Sequence, residues 1–216
     1  MAETLLKNHE FNFIKKQVHI IKDSYKKGLD PNVLNAVKDS AIYKIQELLS
    51  EEAFVRLEML ELTTLRTDDQ FDQYIEKLAG YKLPFPKVSE QQLKKLFPKN
   101  KKLKVPNLSE LNEFVTYLGW NDIGTNKKFI VYELDGKLTG LECRFTMATK
   151  DNICSFCNTF GKVAFLSTVT KAKRSNNPDY YKSIGNYMCF DSDACNSKIS
   201  DVGSLERFIT ESLRES

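Results

Sequence analysis

From residue 9 onward, apolar side chains recur at steps of three and four: Phe11, Ile14, Val18, Ile21 and Tyr25. That spacing lines one face of a helix and leaves the other face polar. Gly28 ends the run, and Asp30 followed by Pro31 supplies an N-cap and a proline at the first helical position. The same period resumes through Leu34, Val37, Ala41, Ile45 and Leu48. Ser50 caps a third segment with Phe54, Leu57, Leu60 and Leu65 inward. Thr67 and Gln70 form a capping box for a fourth, whose inward residues are Phe71, Tyr74, Ile75 and Leu78. Short amphipathic helices cannot bury their stripes alone, so the pattern predicts a small antiparallel bundle.

The two prolines of "GYKLPFPKVS" (80–89) bias their preceding residues away from helix, and the domain boundary is placed there, giving 1–81 and 82–216. Ser89 and Gln92 cap a short helix carrying Leu93, Leu96 and Phe97, stopped by Pro98. The period then changes. "KFIVYELDGKLTGLECRF" reads as two strands around Asp135-Gly136, a pair suited to the positive φ angles of a tight hairpin. Residues 162–170 and 185–189 are further strand candidates, and 204–213 returns to helical spacing through Leu205, Phe208 and Ile209. The expected architecture has two domains: an N-terminal all-α helical bundle and a C-terminal α+β domain.

At 216 residues, with 41% hydrophobic and 28% charged side chains, the chain is long enough to bury two cores and too apolar to be disordered. No apolar stretch approaches membrane-spanning length, and no basic segment leads into an apolar run at the start, so a cytoplasmic protein is expected. The net charge of +3 predicts no polyanion partner by itself. Its distribution is uneven, because "KKLFPKNKKLK" (94–104) holds six lysines and no acid, and "KAKR" (171–174) adds three basic residues. "RSNNPDYYKSIGNY" places three tyrosines among turn formers, a candidate aromatic contact surface.

Five cysteines make an odd count in a chain expected to be kept reduced, which favours metal binding over disulfides. Cys154 and Cys157 have two residues between them, Cys189 and Cys195 have five, and thirty-one separate the pairs. Two intervening residues let one tight turn present both sulfurs to a tetrahedral zinc ion. Gly161 behind the first pair gives the backbone freedom to fold around the metal. Cys189 is expected to end a strand, and "FDSDAC" to cap a helix that starts near Cys195, with Asp191 and Asp193 as turn and cap residues. Knuckle, hairpin and helix together are the layout of a treble-clef four-cysteine zinc finger. A redox pair would need a helix directly behind the motif, whereas "NTFGKVAF" runs into a strand. Cys143 is left as a small core residue.

A catalytic zinc keeps an open position, and four cysteines leave none. The two histidines, His9 and His19, lie in the first helical pattern, and no nucleotide-binding or zinc-protease motif is present. No catalytic residue is assigned, and no enzyme activity is expected. Two other readings stand beside this one: a zinc-finger RNA- or ribosome-binding protein using the lysine runs, and a zinc hydrolase with an open metal position.

Several ordered stretches resemble the FusB-type elongation-factor-G-binding proteins of fusidic acid resistance: "LPFPKVSEQQLKKLFPKNKKLKVP", "GWNDIGTNKKFIVYE", the hairpin, "CSFC", "GNYMC", "DSDAC" and the closing "RFI". The resemblance covers nearly the whole chain. It implies a cytoplasmic, monomeric protein that is not an enzyme. Such a protein binds elongation factor G through the zinc-containing domain and promotes its release from drug-stalled ribosomes, reaching the ribosome only through that factor. Carried over by position, the implied contacts are Phe156, Tyr187 and Phe208. A lysine expected three residues before Tyr187 is replaced by Ile184, and Lys182 is the candidate to stand in for it.

Overall fold

The structure is a computed structural model that describes residues 5–169 and 182–213. The chain divides into two compact units, residues 1–83 and 84–216. Among the described residues no helix is long and apolar enough to cross a membrane.

The first unit consists of α1 (Asn8–Lys26), α2 (Pro31–Leu48), α3 (Glu51–Arg56) and α4 (Asp68–Ala79), with a 3-10 turn at Met59–Thr63. The caps read from the sequence are in place. Asp30 accepts from the Asn32 amide, and Thr67 and Gln70 form a reciprocal capping box. The four apolar stripes meet in one core that includes Ile14, Val18, Ile21, Ile45, Phe71 and Leu78. The chain ends of the unit are tied together by Leu5 and Leu6 amides donating to the Tyr81 carbonyl and by Leu83 donating to Leu6.

The third segment departs from expectation. The helix stops after Arg56, and Glu58 takes a left-handed φ of 53°. The following 3-10 turn shifts the phase of the stripe, so Met59 and Leu62 point inward while Leu60 is 62% exposed. A continuous helical period overlooks this break because no glycine or proline marks it.

The second unit begins with α5 (Glu90–Leu96) and continues as a five-stranded antiparallel sheet. The strands are β1 (Leu118–Asp122), β2 (Lys127–Leu134), β3 (Lys137–Met147), β6 (Val163–Val169) and β7 (Ser183–Cys189), and their spatial order is β1-β2-β3-β6-β7. A two-stranded ribbon, β4 (Asn152–Ile153) with β5 (Phe160–Gly161), interrupts the path from β3 to β6. Two helices follow, α6 (Ser192–Asn196) and α7 (Gly203–Leu213). The hairpin between β2 and β3 turns at Asp135 (φ 50°) and Gly136 (φ 73°), the backbone the Asp-Gly pair predicted.

Strand β2 is buried on both faces, and this organises the unit. Phe129 and Val131 face a core with Leu93, Phe97 and Leu118, where the Phe97, Trp120 and Phe129 rings lie 5.0 to 5.7 Å apart. Ile130 and Tyr132, on the opposite face, join a larger core with Cys143, Leu166, Met188, Leu205 and Phe208. Gly140 pairs with Val131 and sits against α5: a Cβ there would come within 2.9 Å of both Leu96 Cβ and the Phe97 ring. Gly140→Ala is expected to overpack this core and cost about 1–3 kcal/mol. Urea unfolding followed by the fluorescence of Trp120, the chain's one tryptophan, measures it directly; an unchanged midpoint would refute the tight fit.

Candidate metal centre and its exposed rim

The β4–β5 ribbon pairs Asn152 with Gly161 and Ile153 with Phe160, and the turn between its strands carries Cys154 and Cys157. The Asn158 amide donates to the Cys154 carbonyl at 2.9 Å, and the Cys154 amide to Thr159 O at 3.0 Å. The left-handed residue that closes this turn is Asn158 (φ 53°), not Gly161, which lies in β5. Asparagine tolerates that conformation well. Cys189 is the last residue of β7, as expected. Asp191 then caps α6 by accepting from the Asp193 and Ala194 amides, which places Cys195 in the helix. The Ser155 amide donates to Tyr187 O at 2.8 Å and fastens the turn to β7.

These elements bring the sulfurs of Cys154, Cys157, Cys189 and Cys195 within 4.8 Å of one another. The Cys154–Cys195 and Cys157–Cys189 sulfurs are 3.9 and 3.6 Å apart. A zinc tetrahedron with bonds of about 2.3 Å has sulfur–sulfur edges of about 3.8 Å, close to these two, so the donor set fits the ion with small adjustments. The close approach of the four sulfurs couples their ionisation. Taken as bare thiols, the four cannot all ionise: Cys154, accepting hydrogen bonds from the other three, is held well below the thiol range. Cys189 and Cys195 are pushed far above it, chiefly by their hydrogen bonds to Cys154. A bound dication would let all four be thiolates at this spacing. The Cys189 amide already donates to Cys154 Sγ at 3.3 Å, a bond suited to a thiolate. The four cysteines form a treble-clef finger for one structural zinc ion, and its closed, largely buried donor set leaves no open coordination position.

Cys143 is a core residue on β3, its thiol pushed up to about 12 by burial. His9 and His19 both lie on α1 of the helical unit.

The aromatic residues near the metal divide into two layers. Phe156, between the first two ligands, is 3% exposed and Phe208 of α7 is 2% exposed; their rings face each other at 5.6 Å. A position between two ligands therefore does not point outward here, because the turn folds over α7 and the ring fills the space between them. Tyr187 is 38% exposed on β7, edge-on at 5.4 Å to its cross-strand neighbour Phe165, which is 41% exposed. Lys182 is exposed just before β7, and Ile184 lines a groove of about 370 Å³ with Ser155, Asn186, Arg207, Phe208 and Glu211. Sequence reasoning overlooked Phe165, and also Ile153 and Phe160, which stand exposed across from each other on the ribbon. The sequence carries no clear signal for Phe165, because it shares its face with Val163 and Val169 as well as Ser167. Gly185 makes room for it: a Cβ there would lie 2.5 Å from the Phe165 ring. The "KAKR" run at 171–174 and the tyrosines at 180 and 181 lie outside the described residues.

Lys128 of β2 is buried and donates to Asn121 and to Phe190 and Ser192 of the link between the third and fourth cysteines, while burial pushes its ammonium down to about 8. Asn196 fastens α6 to the chain entering β1, accepting from the Thr116 and Tyr117 amides and donating to Tyr117 O.

Comparison with known proteins gives a consistent picture. Residues 5–86 match the family model described as elongation factor G-binding protein, N-terminal, and residues 96–211 match the FBP C-terminal treble-clef zinc-finger. The solved structure of the fusidic acid resistance protein FusC is similar, with a TM-score of 0.77 and 27% identity over 97% of each chain. No match is found among curated proteins.

Proposed function

Since the chain belongs to the family of elongation factor G-binding proteins with an FBP treble-clef zinc finger, we propose that it binds elongation factor G through its zinc-bearing unit. We propose also that it promotes release of that factor from ribosomes stalled by fusidic acid. The observation that carries the reading is the exposed pair Phe165 and Tyr187, held on the adjacent strands β6 and β7, the second of which the metal turn braces through Ser155. Aromatic side chains fixed on a stiff scaffold lose little entropy on docking and serve as anchors. In this reading Tyr187 touches the factor and Lys182 adds a charged contact beside it. Phe156 and Phe208 shape the surface from beneath, their tilted, touching rings supporting the turn and α7.

Release demands more than binding. The protein must bind better the conformation of the factor that leaves the ribosome, because only differential affinity shifts an equilibrium. The expected result is a shorter residence time of labelled elongation factor G on fusidic-acid-stalled ribosomes when the purified protein is added. Micromolar or tighter binding with an unchanged residence time would overturn the release reading.

The lysines of residues 94–104 are exposed, and this favours a second reading, contact with ribosomal RNA. Binding through phosphates would weaken steeply with salt by counterion release, whereas binding centred on the aromatic pair would not.

A further inference from the structure

Lys128 is a lysine where a lysine is costly. It is 1% exposed, and its Nζ donates to Asn121 Oδ1 at 3.2 Å, Phe190 O at 2.9 Å and Ser192 Oγ at 2.8 Å. All three acceptors are neutral, and among the described residues no carboxylate forms an ion pair with it. The carboxylate of Asp191 acts on it from a distance but is engaged at the cap of α6, exposed to solvent. Burying an ammonium without a counter-charge costs several kcal/mol unless the group neutralises, and a nearby anion offsets that cost while keeping the charge.

The anion is supplied by the neighbouring site. Four thiolates around one zinc ion leave two net negative charges in a buried setting. Lys128 lies opposite Cys143 in the β2–β3 register, on the sheet face shared with the metal ligands' core. Its acceptors Phe190 and Ser192 belong to the short link between Cys189 and Cys195, so the ammonium is fastened to the loop joining the third and fourth ligands.

A second observation points the same way. Tyr117 Oη is fully buried and, among the described residues, is the side-chain polar atom left without a hydrogen-bond partner. Tyr117 belongs to the same buried cluster as Cys154 and Cys195. A zinc-bound thiolate at Cys195 would supply the acceptor this hydroxyl lacks. Gly119 keeps the assembly close: a Cβ there would sit 2.5 Å from Ser192 Oγ and 2.7 Å from the Tyr117 ring.

We propose that Lys128 is the internal counter-cation of the zinc tetrathiolate, that Tyr117 donates its hydroxyl proton to Cys195, and that the two together set how tightly zinc is held. Both are positioning residues acting through the ligands, independent of which partner the exposed rim binds.

The test uses the full chain, loaded with zinc for chelator competition and with cobalt for absorption. Lys128→Met is expected to lower metal affinity about 10–100-fold, the usual cost of removing a group behind the ligands. It is also expected to move the thiolate-to-cobalt charge-transfer band to lower energy, because thiolates relieved of a neighbouring cation give up electrons more easily. Lys128→Arg restores much of both. Tyr117→Phe shifts the band the same way with a smaller loss of affinity. A lysine that only fills space would lower affinity through folding and leave the band in place, and that outcome overturns the proposal. Should Lys128→Met fail to fold, Tyr117→Phe decides: an unmoved band and unchanged affinity overturn it equally.

Discussion

Replacing Cys154 with serine, or stripping zinc with a strong chelator, is expected to unfold the C-terminal unit while the helical unit stays folded. The ligands are part of the core itself: Cys154, Cys157 and Cys195 belong to the same buried cluster as Val163, Leu205, Phe208 and Ile209. The turn carrying the first two ligands is held by a two-stranded ribbon of four residues, the Ser155 bond to β7 and the Phe156–Phe208 contact, a small set beside the metal. Zinc binding to such sites supplies on the order of 10 kcal/mol of apparent folding energy. That equals the whole stability of an ordinary domain, about 5–15 kcal/mol, so its loss leaves too little to keep the unit folded. Trp120 reports on this unit alone, whereas four helices with their own apolar core hold the other. Trp120 emission should therefore shift to that of an exposed indole while most helical circular dichroism remains. A Trp120 melting transition that moves by only a few degrees on metal removal would show that zinc is ornamental.

Tyr187→Ala is expected to weaken elongation factor G binding about 30-fold or more, the range for a central aromatic anchor, with little loss of stability because the ring is already partly in solvent. Phe156→Ala should do the opposite. Its ring is buried against Phe208, so its removal costs about 3–5 kcal/mol of stability and affects binding through the damaged turn. Titration calorimetry with purified factor, run beside urea unfolding of each variant, separates the two. Wild-type affinity in Tyr187→Ala would remove this strand from the interface. A stable Phe156→Ala that loses binding would return Phe156 to the contact surface.

Much of this molecule was legible along the chain. Capping boxes at Thr67 and Ser89, the Asp-Gly hairpin and the helical stripes are local signals, because each rests on contacts within a few residues. The four ligands were legible for a related reason: thiolates at turn-compatible spacing have few other uses in a reduced chain. Less local features escaped. Strand β1 at "LGWND" lacks alternation and exists because β2 offers it an edge. The break after Arg56 carries no glycine or proline.

The sequence by itself determined the element types, the two-unit division and the chemistry of the metal site, since these follow from periodicity, capping and donor identity. Only the tertiary structure decided which aromatic rings face solvent and which buried charge is fastened to the link between the third and fourth cysteines. Phe156 and Tyr187 differ in exposure because of what packs over each, α7 in one case and open strand surface in the other. Lys128 alternates in phase with Ile130 and Tyr132, but β2 is buried on both faces, so alternation alone did not mark it as buried. What makes that burial tolerable is an anion assembled from residues 26 to 67 positions away, and such a partner exists only once the chain has folded.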